Sequence, residues 1–326
     1  MFCQTVVILG MGGTIAGRSA RPSDNIGYTA AQVDIVELAA AIPSLSDQGP
    51  VITEQVAQMD SKDMDFSAWS RLAARVNHFL AQPDVHGIVI THGTDTLEET
   101  AYFLHKVCQP TKPVVLTCAM RPATALVPDG PQNLLDALTV ARQPDARGVV
   151  AVCAGTIHSA LDVQKVHTYK VDAFSSGDAG PLGYVEEGRV RLLRSWQFDQ
   201  EPSWQTAMEN VENRFTAIDW PRVEIIMNYA GVNGTVVNAL VACGVQGLVV
   251  AATGNGTLHH ALESALLNAQ AAGVKVVRAT RCPNGRVLPR PDDRLPDSNG
   301  LSPVKARVEL MLQLMTSGSA SAQQRH

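Results

Sequence analysis

Short apolar runs that end in polar turns alternate along this chain with longer segments of helical periodicity. Thr5-Val6-Val7-Ile8-Leu9, Gly87-Ile88-Val89-Ile90, Pro113 to Cys118 and Gly148 to Cys153 predict buried strands. Between them, apolar residues at helical spacing predict helices over about 30–41, over Phe66 to Leu80 (Phe66, Trp69, Leu72, Ala73, Val76, Phe79, Leu80), over Leu97 to Val107 and over Gln132 to Arg142. After Cys153, Asp162 to His167 and Gly180 to Tyr184 read as irregular, turn-rich chain. Residues from Arg194 to Trp220 are polar, hold three of the four tryptophans and lack strand periodicity, so they read as a connector. A second set of units follows, with strands at Val223–Met227, Gly247–Ala252 and Val274–Arg278 and helices at about 235–243 and 257–272. A last helix opens at Ser302-Pro303 and runs to about Met315, and the tail 316–326 reads as disordered. Strands alternating with helices predict an α/β fold of two domains, each a mainly parallel sheet flanked by helices. The larger N-terminal domain spans 1–193, a linker 194–222, and the smaller C-terminal domain 223–326.

The turns after the strands carry the polar chemistry. Thr91-His92-Gly93-Thr94-Asp95-Thr96 joins a buried strand to a helix. A helix N-terminus there presents free N–H groups and partial positive charge. Asp95 or Thr96 as a simple cap, and Gly93 as a simple turn former, are the plain structural alternatives. The first strand opens into Gly10-Met11-Gly12-Gly13-Thr14-Ile15-Ala16-Gly17, but position 15 is Ile, so the dinucleotide fingerprint G-x-G-x-x-G fails. The glycines either make a tight turn or let the backbone approach a ligand, with Thr14 as a presented hydroxyl. Residues 18–29 read as a mobile polar loop that ends in the aromatic Tyr28. In a parallel sheet these turns gather along one edge, where open α/β sheets bind ligands.

Composition narrows the reading. The chain has 326 residues, 45% of them hydrophobic, enough for about two packed domains. Its formal net charge of −5, without a basic cluster, leaves nucleic-acid binding without an electrostatic footprint. No apolar run reaches membrane-spanning length. The six cysteines form no Cys-x-x-Cys pair, and several sit in strand-like runs as small core residues. With no basic leader before the first strand, this points to the cytoplasm.

With these segments in hand, the chain resembles the bacterial-type L-asparaginase (asparaginase/glutaminase) family. The resemblance rests on Ile8 to Gly17, the Thr91–Thr96 turn, Ala119-Met120-Arg121-Pro122, Asp129-Gly130-Pro131 and Gly180-Pro181-Leu182-Gly183-Tyr184. It continues through Asn228-Tyr229-Ala230, Gly254-Asn255-Gly256 and Pro303-Val304-Lys305-Ala306-Arg307, in family order over nearly the whole chain. It implies hydrolysis of L-asparagine to L-aspartate and ammonia, without metal or organic cofactor. By matching position it implies Thr14 as nucleophile, Tyr28 as its partner in proton transfer, and Thr94, Asp95 and Lys165 as a second triad. It implies Ser61 on the substrate α-carboxylate, Asp95 near the α-ammonium, and Ala119 on the amide through its backbone. A homotetramer is implied too, in which the neighbouring subunit completes each site through Asn255 and an acidic residue, with Asp292 and Asp293 the nearest candidates. Lys62 stands where several relatives carry Gln beside the substrate, so it bears on the choice between asparagine and glutamine. A dual glutaminase-asparaginase and a non-catalytic asparagine or aspartate sensor are the alternative readings.

Overall fold

The computed structural model describes residues 5–42, 45, 49–197 and 220–323. Most of the sequence-predicted connector therefore lies outside the described residues. The chain divides into two compact units, residues 1–217 and 218–326.

The first unit is built on an eight-stranded sheet of order β10-β9-β6-β5-β4-β3-β1-β2. Strands β1 (Thr5–Gly12), β2 (Val51–Met59), β3 (Val85–Thr91), β4 (Pro113–Thr117) and β5 (Gly148–Cys153) pair in parallel. Strands β6 (Thr156–Ser159), β9 (Gly183–Glu186) and β10 (Arg189–Leu192) continue the sheet antiparallel. A small ribbon of β7 (Gln164–Lys165) and β8 (Phe174–Ser175) stands apart. Helices α1 (Ile35–Ala40), α2 (Phe66–Leu80), α3 (Leu97–Cys108) and α4 (Gly130–Ala141) cover the sheet. Val6, Ile8, Val89, Val115 and Val150 form one core with Ile35 and Leu38 of α1 and Leu134 and Leu138 of α4. Residues of the opposite parity, Val7, Leu9, Ile88 and Ile90, are equally buried, as a parallel sheet covered on both faces requires. Trp69 of α2 stacks on Phe103 of α3 with ring centroids 4.7 Å apart.

The parallel part runs 2-1-3-4-5, so the strand order reverses between β1 and β3. Their carboxyl ends flank the crevice in which such sheets bind ligands.

The second unit has a three-stranded parallel sheet, β11 (Val223–Met227), β12 (Gly247–Ala252) and β13 (Lys275–Thr280). It is flanked by α5 (Thr235–Ala242), α6 (His260–Ala271) and α7 (Pro303–Gln323). Its core is Ile226, Val237, Leu248, Val250, Leu262, Leu266 and Val276.

The architecture is the expected α/β arrangement of a large mainly parallel sheet followed by a smaller one. Four details differ from the sequence reading. Strand β2 was not expected; it is a sheet edge of half-buried and exposed residues, so its apolar pattern is weak. Residues 154–193 hold five strands of two to four residues, too short to show a period. Helix α1 starts only at Ile35, where the Asp34 side chain accepts the Glu37 N–H. Helix α7 runs on to Gln323 where disorder was expected, since a helix already nucleated extends through alanine and serine at little cost.

Candidate active site

Two turns define the site. Strand β1 ends in Gly12 and Gly13, both at positive φ (97° and 81°). A Cβ on Gly12 would lie 2.6 Å from the Met59 carbonyl oxygen, so only glycine fits against the end of β2. The chain then enters a 3₁₀ turn, Thr14–Ala16, which holds Thr14 nearly buried. The Thr14 Oγ1 lies 2.6 Å from the Tyr28 hydroxyl.

Tyr28 stands at the base of the 18–29 loop. Arg18 and Thr29 exchange two backbone hydrogen bonds of 2.9 Å, which close the loop at its neck. The Asp24 carboxylate accepts the N–H groups of Ile26 and Gly27 and holds the tip in an Asx turn. On one side the loop is tied to the chain after Ala119: Ala123 N–H donates to the Gly17 carbonyl, Ser19 N–H to Thr124 Oγ1, and Leu126 N–H to the Pro22 carbonyl. In this structure the polar loop is closed at its neck and bonded along one side, with its phenol on Thr14.

The second turn follows β3. His92 is fully buried. Its Nδ1 lies 2.7 Å from the Gly93 carbonyl, which can only accept, so Nδ1 carries the proton. Its Nε2 then accepts from Thr100 Oγ1 at 3.0 Å, and Thr100 in turn accepts from the Trp69 indole N–H at 2.9 Å. Burial pushes the His92 pKa down to about 4, so the ring is neutral across the physiological range.

Neither capping alternative describes this turn. Thr96 takes the N-cap position of α3 without a side-chain cap bond; its hydroxyl donates instead to the Ser61 carbonyl at 2.8 Å. The Asp95 carboxylate reaches Lys165, whose Nζ donates to Asp95 Oδ1 at 2.6 Å and to Thr94 Oγ1 at 2.8 Å. Lys165 comes from β7, and its backbone N–H makes a long bond to Glu98 Oε1. Its side chain is 19% exposed and that of Asp95 52%, so the lysine is largely withdrawn from water while the carboxylate faces it.

The two turns touch. A Cβ on Gly13 would lie 2.4 Å from the Gly93 Cα, and one on Gly93 would lie 2.4 Å from Ser61 Oγ. Ser61 is nearly buried, and its hydroxyl accepts the Asp95 N–H at 3.2 Å. Thr14, Tyr28, Ser61, Thr94, Asp95 and Lys165 thus form one connected cluster at the β1–β3 switch point. Lys62 is apart from it: the ammonium lies 2.6 Å from Asp63 Oδ2 and 3.3 Å from Asp60 Oδ2, and the side chain is well exposed.

Ala119 follows β4 and is 1% exposed. The chain on either side of it is held from α4. Asp129 accepts the N–H groups of Met120 and Arg121, both at 2.9 Å, and Asn133 donates to the Cys118 carbonyl at 2.9 Å.

In the second unit, Asn255 is a brace. Its amide pairs with both backbone groups of Leu288, accepting at 2.7 Å and donating at 3.2 Å. Asp293 forms a two-pronged pair with Arg278, whose hydrogen bonds hold its carboxyl down at about 2; Asp292 has no such partner among the described residues.

His92, Thr100, Asp129 and Asn133 have structural roles here that the sequence reading did not assign. Asn133 had a readable signal, a polar residue between two turns of apolar helix, and Asp129 stood in a noted motif without a role.

The arrangement places two hydroxyls, Thr14 and Thr94, each within hydrogen-bond distance of a titratable group, Tyr28 and Lys165. This is the layout of nucleophilic chemistry on a carbonyl carbon, where the hydroxyl is weak until a neighbour takes its proton.

Comparisons with known proteins give the family. The family pattern described as the asparaginase N-terminal domain matches residues 5–198, and the glutaminase/asparaginase C-terminal domain matches residues 222–326. L-asparaginase 2 of Bacillus subtilis is 39% identical over 94% of this chain and 81% of its own length. Glutaminase-asparaginase of Pseudomonas fluorescens biotype A is 38% identical over 98% and 89%. The crystal structure of a probable cytoplasmic L-asparaginase from Campylobacter jejuni superposes with a TM-score of 0.87 at 37% identity, covering 95% of each chain. This chain is a member of the asparaginase family.

Proposed function

We propose that this protein hydrolyses L-asparagine to L-aspartate and ammonia through a covalent aspartyl-threonine ester. The observation that carries the reading is the Thr94–Lys165–Asp95 chain, with contacts of 2.8 and 2.6 Å, set against a second hydroxyl pair, Thr14 and Tyr28. Thr14 Oγ1 attacks the side-chain amide carbon, and its proton passes by way of Tyr28 toward the leaving nitrogen. The C–N bond breaks and ammonia departs. Water, deprotonated through Thr94 and Lys165, then cleaves the ester and returns the proton to Thr14. Lys165 relays the proton, and Asp95 balances the lysine's charge. Backbone N–H groups at the two turns hold the oxyanion, an effect worth about 3 kcal/mol per donor in other hydrolases. Ser61 holds the substrate α-carboxylate, Asp95 the α-ammonium, and the Ala119 backbone the amide.

A homotetramer built from close dimers accompanies this reading, with Asn255 and an acidic residue of the 285–299 segment completing a neighbour's site. Asp292 is the acidic residue proposed, because Asp293 is committed to Arg278, and Asn255 acts on the neighbour by bracing this segment through Leu288. The compartment proposed is the cytoplasm, supported by the likeness to the probable cytoplasmic L-asparaginase of Campylobacter jejuni. A dual specificity remains the second reading, favoured by the glutaminase-asparaginase among the relatives; one extra methylene changes affinity only modestly.

Ammonia release from purified protein, with L-asparagine and L-glutamine in parallel, tests the reading. Release from asparagine alone supports a specific asparaginase, and comparable release from both a dual enzyme. Release from neither, with aspartate still bound, moves the sensor reading forward. Light scattering tests the tetramer.

A further inference from the structure

Helix α4 begins in an unusual way. Asp129 occupies its N-cap, where a carboxylate ordinarily accepts N–H groups of the first helical turn, yet it makes no such bond. Both its oxygens are used elsewhere, one on Met120 N–H and one on Arg121 N–H. One turn later Asn133, 3% exposed, spends its whole amide on the same region. Its Nδ2 donates to the Cys118 carbonyl at 2.9 Å, and its Oδ1 accepts the Ala154 N–H at 2.9 Å, which ties the end of β4 to the end of β5. A buried polar side chain inside a helix is costly unless fully bonded, and this one is.

Together these side chains fix the two peptide groups that flank Ala119. In a planar trans peptide the N–H and C=O point in opposite directions. The Met120 N–H is directed at Asp129, so the Ala119 carbonyl is turned away from it. The Cys118 carbonyl is directed at Asn133, so the Ala119 N–H is turned away from that. Ala119 is buried, yet its carbonyl oxygen accepts no hydrogen bond among the described residues. A backbone carbonyl held in one direction with no donor from the chain is an acceptor left for water or a bound molecule. Ala119 packs beside Ile15, the residue after Thr14: a Cβ on Gly130 would meet Ile15 Cγ1 at 2.8 Å and Ala119 Cβ at 3.5 Å.

We infer that Asp129 and Asn133 are positioning residues, which aim the Ala119 carbonyl at the N–H of the substrate's side-chain amide. The inference rests on the asparaginase reading above and deepens it by naming what orients the amide. An amide nitrogen has N–H groups to donate to that carbonyl. A β-ester of aspartate forms the same acyl-enzyme but has no such donor. Loss of the positioning bonds therefore penalises the amide and spares the ester, which loss of overall structure does not.

The test compares kcat/KM for L-asparagine and for L-aspartate β-methyl ester in wild type, Asp129→Asn and Asn133→Ala. This ratio covers the steps up to the first product, so the shared deacylation drops out. Asp129→Asn keeps the size of the side chain and exchanges one acceptor for a donor facing an N–H. The expected result is a fall of about tenfold for asparagine, the worth of one hydrogen bond, with ester turnover within about twofold. The dissociation constant for L-aspartate and the melting temperature are measured alongside, and Asn133→Ala provides the second variant should one fold poorly. Parallel loss of amide and ester activity, or no loss in either, overturns this inference and leaves the asparaginase reading standing. Absence of asparagine turnover in wild type overturns both.

Discussion

Gly13 and Gly93 lie against each other, so closely that a Cβ on Gly13 would sit 2.4 Å from the Gly93 Cα. The turn that carries Thr14 and the turn that carries Thr94 are registered by this contact. Gly13→Ala meets two obstacles, backbone in the way and a φ of 81°. The turns must part, and misplacement by about 1 Å costs on the order of 100-fold in activity. The expected outcome is a folded protein with a lowered melting temperature and about a 100-fold loss of kcat/KM for asparagine. Activity near wild type would mean that the turns need not touch.

Thr14→Ala and Thr94→Val each remove one hydroxyl and leave its partner, Tyr28 or Lys165, without its contact. Each is expected to lower kcat by about three orders of magnitude or more, and the double variant by little beyond the worse single, since groups acting as a unit are not additive. Binding of L-aspartate, followed by calorimetry, should persist. Substantial turnover in either single variant removes that residue from the mechanism.

Lys62→Gln probes the choice of substrate. Asp60 and Asp63 hold the lysine in an exposed ion pair, and such pairs are weak enough for a substrate to compete with. Asparagine-to-glutamine ratios of kcat/KM, measured for both proteins, are expected to differ by a few-fold, in the range of one methylene's discrimination. An unchanged ratio places Lys62 outside the pocket's reach.

His92 makes stability depend on pH. Its folded pKa is about 4, against 6.5 for an unperturbed histidine. The unfolded chain therefore binds the proton more readily between those values. The contribution is complete above about pH 6.5 and is lost as pH falls toward 4, to a total of roughly 3 kcal/mol. Urea midpoints measured across that window should fall for wild type and fall less for His92→Gln, which cannot titrate. Curves of equal slope would show that other groups dominate.

The fold was legible because buried strands such as Gly87 to Ile90 and amphipathic helices such as Phe66 to Leu80 are long and strongly periodic. Strand β2 was not, because its edge position leaves Val51 to Met59 half-wet on both faces and erases the alternation. The cluster of Thr14, Thr94 and Asp95 was legible as polar turns at strand ends, for parallel strands bring such turns to one edge. Lys165 was not readable from spacing: it lies about seventy residues from Thr94 and arrives on a two-residue strand, so family resemblance alone pointed to it. Asp129 and Asn133 escaped for another reason. A carboxylate before a helix reads as a cap, and only the bonds themselves show it turned toward the loop behind.

The lid has a consequence beyond covering Thr14. Ala123, Thr124 and Leu126 each bond to the stretch 17–22, and they follow Ala119 by only a few residues. A door usually swings on a fixed frame; here the frame is sewn to the door. When the 18–29 loop lifts at that margin, it must tear those stitches or carry the 123–126 segment with it. The 18–29 loop and the chain just after Ala119 are thus joined as one piece at that margin.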